Sequence, residues 1–252
     1  MNDSLQTKKH MVIAIQGDNG LPARRRKLDS WTWFALFFAL VAYPAAYCAG
    51  YVGPLIHEIF RGSRAHWWYF WLLVLAFHWV PLGFVWLALK KNREPWSSIG
   101  VDWRWYRRWW WVFATILAAL IAAAFVAPGL HYPDGLPRIG RSKPQFMIPL
   151  STPERLFVIF VAFTAGVTEE VLFRGFAITR LTRIVGSPWR ALPITVVSFL
   201  FIHGTPRSVQ MCVVYAFAGL AFGVPFILMK QRRLEVLILI HFLIDAGMVL
   251  AD

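Results

Sequence analysis

The sequence predicts an all-α membrane protein, a polytopic bundle of about seven transmembrane helices, with a range of about six to eight. Hydrophobic residues make up 58% of the chain and charged residues only 15%, and the mean hydropathy is +0.52. In a soluble domain apolar residues are about half of the total and charges about a quarter. Here the charges lie between long apolar runs, which is the pattern of membrane-spanning helices.

Three long apolar runs come first, at residues 31–56, 67–89 and 109–130. Each exceeds the roughly 20 residues that a helix needs to cross the hydrocarbon core. Pro44 and Pro81 fall inside runs, where transmembrane helices tolerate proline. The stretch 95–108 alternates aromatic residues with arginines, and we expect it to lie on the inner leaflet.

Four further helical segments are predicted at residues 156–178, 191–203, 209–229 and 236–250. The second would be only about 20 Å long, so we expect a partial span inside the bundle. The chain thus divides into a basic cytoplasmic tail at 1–30, N-terminal transmembrane helices at 31–152, and a helical region at 153–252 that carries the candidate chemistry.

The formal net charge of +13 reflects basic residues at the ends of apolar runs. Membrane topology explains this placement, so no nucleic-acid partner is predicted. Most lysines and arginines lie in the N-terminal tail and in the second, fourth and sixth connections. The positive-inside rule therefore places the N-terminus in the cytoplasm and the C-terminus outside. We expect a multi-pass protein of a prokaryotic plasma membrane, with the lipid bilayer and a membrane-associated peptide or protein as its partners.

Two cysteines, Cys48 and Cys212, both lie in apolar stretches. Neither belongs to a CxxC motif, so no disulfide framework is predicted. We interpret both as small packing residues.

The first candidate motif is Glu169-Glu170-Val-Leu-Phe-Arg174. Ionisable residues inside a membrane helix are costly and are candidates for function. Glu170 and Arg174 are i,i+4 neighbours that can pair on one helix face, or can serve only to hold helices together. Glu169 points about 100° away from Glu170 and has no local partner, so it is suited to take a proton from water.

Two further motifs follow, Phe199-Leu-Phe-Ile-His203 and His241-Phe-Leu-Ile-Asp245. Gly204 and Pro206 break the helix after His203, and such a break is tolerated at membrane depth only where it is buried or lines a cavity. Asp245 shares a face with His241 and is expected to orient that ring, fix its tautomer or accept a proton. His78 has no partner in its own helix and is interpreted as a packing residue.

Three kinds of chemistry suit this group of residues. One is hydrolysis by an activated water. The second is a zinc site with Glu169, His203 and His241 as ligands and one open position. The third is a proton relay in a transporter, although no internal repeat of the kind common in transporters is present.

The three motifs together resemble the CPBP family of intramembrane proteases. The shared pattern is Glu-Glu-x-x-x-Arg, then Phe-x-x-x-His, then His-x-x-x-Asn or Asp, in this order on late transmembrane helices, with Gly175 after the arginine. The family is also called Abi, or CaaX protease and bacteriocin-processing, and it includes the type II CaaX prenyl proteases. The resemblance covers residues 153–250.

The resemblance implies a glutamate-dependent endopeptidase that needs no metal or other cofactor. Glu169 would be the catalytic base and would activate water with help from His203. His241 and Asp245 would stabilise the oxyanion, although the prenyl-protein branch has Asn where this chain has Asp245. Glu170 and Arg174 would shape the site.

The predicted function is therefore hydrolysis of a peptide bond in a membrane-associated or hydrophobic substrate, which in this family can be lipidated. A non-catalytic immunity or scaffold protein of the same fold is the main alternative. A proton-coupled transporter is a weaker one.

Overall fold

A computed structural model describes residues 28–49, 65–126, 149–203 and 209–250. Within these ranges the chain forms seven helices and no strand, which confirms the predicted all-α class. Most of the predicted basic tail and part of the predicted first and third runs lie outside the described residues, as do Gly204 and Pro206.

The seven helices follow the chain in the predicted order. Helix α1 comprises Ser30–Phe37, a π-helical segment at Phe38–Ala42, and Tyr43–Ala49. Helix α4 likewise comprises Thr152–Glu169, a π-helical segment at Glu170–Ile178, and Thr179–Val185. The others are α2 (Ala65–Lys91), α3 (Trp103–Val126), α5 (Pro188–Phe201), α6 (Val209–Leu228) and α7 (Leu234–Leu250). A 3-10 turn at Trp96–Ile99 connects α2 to α3.

Four of these helices are long and apolar enough to cross a membrane, namely α1, α2, α4 and α6. Helix α5 has 14 residues and is about 21 Å long, which agrees with the predicted partial span. Helix α3 begins at Trp103, inside the stretch 95–108 that is predicted to lie on the inner leaflet, and that placement stays a prediction. Arg104, Arg107 and Arg108 therefore belong to the first turns of that helix.

Helix α4 lies at the centre of the bundle, with 72% of its most apolar window buried, against 28–33% for the other three long helices. It packs against α2, α5 and α7. It also extends past the predicted end at residue 178, to Val185. The extension carries Arg180 and Arg183, whose charges pair with Glu94, and Gly186 ends the helix in a left-handed conformation.

One end of the bundle joins the start of α1, the α2–α3 connection, the end of α4 and the start of α7. Nδ2 of Asn92 donates to Asp29 at 2.6 Å, and Glu94 pairs with Arg180 and Arg183. The backbone N–H of Leu234 donates to the carbonyl of Gly100 at 3.1 Å. Among the described residues, the α2–α3 connection, the end of α4 and the start of α7 therefore lie at the same end of the bundle.

Candidate active site

The candidate site lies where α4 changes from an α-helix to a π-helix. Glu169 ends the α-helical part, and Glu170 and Arg174 belong to the π-helical segment. All three side chains are buried, with 7%, 0% and 2% of their surface exposed. Short π-helical insertions occur most often at functional sites, and here one widens the helix beneath the polar residues.

Glu170 is the centre of a buried ion-pair network. Its Oε1 lies 3.1 Å from Nη1 of Arg174, and this ion pair confirms the predicted i,i+4 pairing. The same oxygen accepts from Nδ1 of His241 at 2.9 Å. Because one carboxylate oxygen binds both cationic groups, α4 and α7 are held in a defined register.

Arg174 is held by groups from α5 and α6 as well. Its Nη2 lies 3.4 Å from the carbonyl oxygen of Gly219, at the limit of hydrogen-bond distance. Its guanidinium lies 4.3 Å from the ring centre of Phe199 and 5.4 Å from that of Phe222. Aromatic faces on two neighbouring helices thus help to stabilise this buried cation.

Glu169 points toward α2 and α7 and not toward Arg174. Its Oε1 lies 3.2 Å from Nε2 of His78, and its Oε2 lies 3.9 Å from Nε2 of His241. Oε2 is buried and has no hydrogen-bond partner among the described residues. The interpretation of His78 as a packing residue is therefore wrong in one respect, because this histidine contacts the candidate base directly.

His203 follows the last turn of α5 and is half-buried. Its Nδ1 donates to the carbonyl oxygen of Phe199 at 2.9 Å, and its ring stacks on Tyr215 with the centres 4.1 Å apart. The ring is thus fixed on two sides, with Nδ1 occupied.

Asp245 lies one turn beyond His241 on α7. Its Oδ2 is 3.5 Å from Nε2 of His241, and 32% of its side chain is exposed. The expectation that Asp245 fixes the His241 tautomer is not met, because Glu170 holds Nδ1 at 2.9 Å. Asp245 lies instead on the Nε2 side of the ring.

The comparison with protein families agrees with this geometry. Residues 151–247 match the family described as Type II CAAX prenyl endopeptidase Rce1-like. Over these residues the chain is similar to members of that family. The match confirms the resemblance to the CPBP family over the region that contains all three motifs. No curated protein and no solved structure matches the chain significantly.

The Rce1-like region brings three carboxylates and one permanent cation into a small volume. Glu169 and Glu170 are buried beside Arg174, and Asp245 adjoins His241. Uncompensated charge is costly in an apolar interior. With all three carboxylates ionised, two protonated histidines beside Arg174 make the cluster neutral. His78 and His241 are the two whose ring nitrogens lie closest to carboxylate oxygens.

A zinc ion held by Glu169, His203 and His241 does not fit this arrangement. Among the described residues no three His, Cys, Asp or Glu side chains are grouped to hold a metal ion. The 3.9 Å between Glu169 Oε2 and His241 Nε2 exceeds the roughly 3.3 Å between two ligands of a tetrahedral zinc. That the protein uses no cofactor stays a prediction.

The spacing of residues along the sequence did not predict that His78 belongs to the site. It lies on α2, outside the Rce1-like region, and 91 positions separate it from Glu169. One signal was available, since it is a titratable residue within a long apolar run. Contacts join Glu169 to four of the residues that the motifs predict, Glu170, Arg174, His241 and Asp245. The contacts of His203 are with Phe199 and Tyr215.

Proposed function

We propose that this protein is an intramembrane endopeptidase, hydrolysing a peptide bond in a membrane-associated or hydrophobic substrate by means of a water that Glu169 activates. The observation that carries the proposal is the placement of the two oxygens of Glu169. Oε1 is held by His78 at 3.2 Å. Oε2 is buried beside Nε2 of His241 and has no hydrogen-bond partner among the described residues.

The gap between Glu169 and His241 suits a water molecule. A separation of 3.9 Å is too long for a direct hydrogen bond, but a water about 2.8 Å from each atom bridges it. Such a water donates to Oε2 and lies within the buried cluster. A carboxylate in this position takes the water's proton as its oxygen attacks the substrate carbonyl.

The reaction then follows the ordinary course of peptide hydrolysis. The water oxygen bonds to the carbonyl carbon, and the carbonyl electron pair moves onto its oxygen. The tetrahedral intermediate collapses with cleavage of the C–N bond, and the leaving amine takes the proton that Glu169 had accepted. His203, fixed through Nδ1 by Phe199, helps to hold the water.

We infer that His241, supported by Asp245, stabilises the oxyanion. Glu170 accepts the Nδ1 proton of His241 at 2.9 Å, so a proton on Nε2 makes the ring a cationic donor toward the substrate. Asp245 lies beside that nitrogen at 3.5 Å. A fixed donor inside a poorly hydrated site stabilises developing negative charge far better than one in water.

The surroundings favour a hydrophobic substrate. Phe199 and Phe222 form apolar walls around Arg174, and α2 and α4, which carry His78 and Glu169, are long and apolar. A substrate reaches these residues most readily from within the bilayer. The family match adds lipidated peptides to the candidate substrates.

Cleavage assays in proteoliposomes test the proposal. The protein would be reconstituted with membrane peptides, with and without a prenylated cysteine, and the products would be identified by mass spectrometry. Glu169→Gln should lower kcat by at least about 10²-fold, since general-base catalysis contributes about 10²–10⁴-fold. Glu154→Gln, which changes a carboxylate at the start of the same helix, is the matched control and should retain activity.

Equal cleavage by Glu169→Gln and the parent would contradict the proposal. A cellular phenotype that survives Glu169→Gln would favour the non-catalytic immunity or scaffold function.

A further inference from the structure

We propose that His78 is a positioning residue for Glu169: as an imidazolium it holds Oε1, and so leaves Oε2 to act on water. The inference rests on the proposed function, in which Glu169 is the base. It adds a residue from α2 to a site whose other members all lie within residues 151–247.

Burying the imidazole of His78 at this position costs free energy. It lies near the middle of α2, about 20 Å from either end, and is only 5% exposed. A polar residue at this depth needs a partner. Among the described residues, its ring nitrogens have two hydrogen-bond partners, the carbonyl oxygen of Val74 at 2.7 Å and Oε1 of Glu169 at 3.2 Å.

The two contacts together define where protons lie. A carbonyl oxygen only accepts hydrogen bonds, so Nδ1 of His78 carries a hydrogen that it donates to Val74. The contact between Nε2 and Glu169 then needs one further proton. That proton belongs either to His78, giving an imidazolium beside a carboxylate, or to Glu169, giving a neutral imidazole beside a carboxylic acid.

The proposed role of Glu169 selects the first arrangement. A protonated Glu169 would not accept a proton from water, so the active form has the proton on His78. The charge balance agrees, because a protonated His78 and a protonated His241, with Arg174, neutralise the three carboxylates of the cluster.

The groups packed around this pair keep the contact in place. The ring of Tyr43, on α1, meets the ring of His78 edge-on at 6.4 Å, and Tyr43 is itself buried. From α7, His241 faces Oε2 of Glu169. His78 therefore has little freedom to leave Glu169, which is the property required of a positioning residue.

Steady-state kinetics of two His78 variants provide the first test. His78→Phe keeps a ring but has no donor, whereas His78→Gln can place an amide N–H near the original Nε2. We expect His78→Phe to lower kcat about 10–100-fold, as loss of an orienting partner typically does, with KM little changed. His78→Gln should recover most of kcat.

His66→Gln, a change of another buried histidine on α2, is the matched control and should keep the parent kcat. Equal loss of kcat in His78→Phe and His78→Gln, or a rise in KM alone, would overturn the inference. Thermal unfolding of each variant shows whether the fold is retained.

Nitrogen-15 NMR of histidine-labelled protein in bilayers tests the pair without any substrate. Both ring nitrogens of His78 should be protonated in the parent. In Glu169→Gln the ring should become neutral, with its proton on Nδ1. A neutral His78 in an active peptidase would reject this inference alone. An imidazolium at His78 in a protein that cleaves no peptide would reject the proposed function and leave the pair intact.

Discussion

Nε2 of His78 lies 3.2 Å from Oε1 of Glu169, across 91 positions of sequence. The contact joins α2 to the central helix α4 at the level of the candidate site. It leaves the second oxygen of Glu169 facing His241. The remaining side chains of the cluster lead to predictions about stability, specificity and orientation.

The buried pair of Glu170 and Arg174 should be important for stability. Arg174→Met removes a cation that is 2% exposed and leaves the carboxylate of Glu170 with only His241. Breaking one side of a buried pair costs about 3–5 kcal/mol, because the remaining charge stays in an apolar interior. Denaturant unfolding in micelles measures the loss of unfolding free energy.

Arg183→Met is the matched control for that measurement. Arg183 also pairs with a glutamate, Glu94, but 37% of its side chain is exposed. Exposed pairs contribute about 0–1 kcal/mol. If Arg174→Met were as mild as Arg183→Met, the proposed importance of the buried network would be contradicted.

Gly175 should tolerate no side chain. A Cβ atom at this position would lie 2.8 Å from the carbonyl oxygen of Ile99 and 2.9 Å from Cδ2 of Leu234. Gly175→Ala should therefore push the α2–α3 connection away from α4 and lower the unfolding free energy by about 1–3 kcal/mol. Gly83→Ala, where no atom lies within 4 Å of the new Cβ, should be neutral or slightly stabilising. Equal effects of the two changes would show that the close approach is unimportant.

Asp245 should be replaceable by Asn but not by Ala. If this residue supports His241 at the oxyanion, the amide oxygen of asparagine can still accept from Nε2 of His241 in place of the carboxylate. Because Asp245 is one-third exposed, loss of its charge should cost little stability. We expect Asp245→Asn to keep kcat within about threefold, and Asp245→Ala to lower it by about 10²-fold, as removal of an oxyanion donor does. Loss of activity in Asp245→Asn would instead show that the negative charge is required.

Asp29 should make the stability of α1 depend on pH. Partial burial raises the pKa of Asp29, but hydrogen bonds from Thr32 and Asn92 outweigh it, so the pKa lies below its ordinary value. A lowered pKa stabilises the fold above the ordinary value of about 3.9, and this contribution is lost as the pH falls through the folded-state pKa.

Asp29→Ala should therefore lower the unfolding free energy by about 1 kcal/mol at pH 7, the usual contribution of a helix cap, and by less near pH 3. Asp29→Asn still caps the helix and should remove the pH dependence while retaining most of the stability. Thermal unfolding at the two pH values measures both effects. A pH-independent deficit in Asp29→Ala would contradict the assignment.

The basic end of the bundle should face the cytoplasm. We propose this orientation because the N-terminal tail and the second, fourth and sixth connections carry most of the lysines and arginines. In a background with Cys48 and Cys212 replaced by alanine, Ser97→Cys should react with an impermeant thiol reagent only in inside-out vesicles. Val209→Cys, at the opposite end of the bundle, should react only in right-side-out vesicles. The reverse pattern would invert the orientation.

Much of the architecture could be predicted from local pattern. Apolar runs long enough to cross a bilayer predicted the helices, and the i,i+4 spacing predicted the pair of Glu170 with Arg174, now observed at 3.1 Å. The ordered motifs predicted the family that residues 151–247 match. These features depend on neighbours along one helix or on order along the chain.

The contacts between helices could be identified only from the tertiary structure. Sequence spacing indicated Asp245 as a partner of His241, and that contact is present at Nε2, but only the packing of α7 against α4 shows that Glu170 holds Nδ1. It indicated no partner for His78, because that partner lies on another helix. Helical period determines which residues share a face, whereas the packing of faces from distant helices decides which charges meet. That is why the members of the buried cluster could largely be predicted from the sequence, and why the pairing of Glu169 with His78 could not.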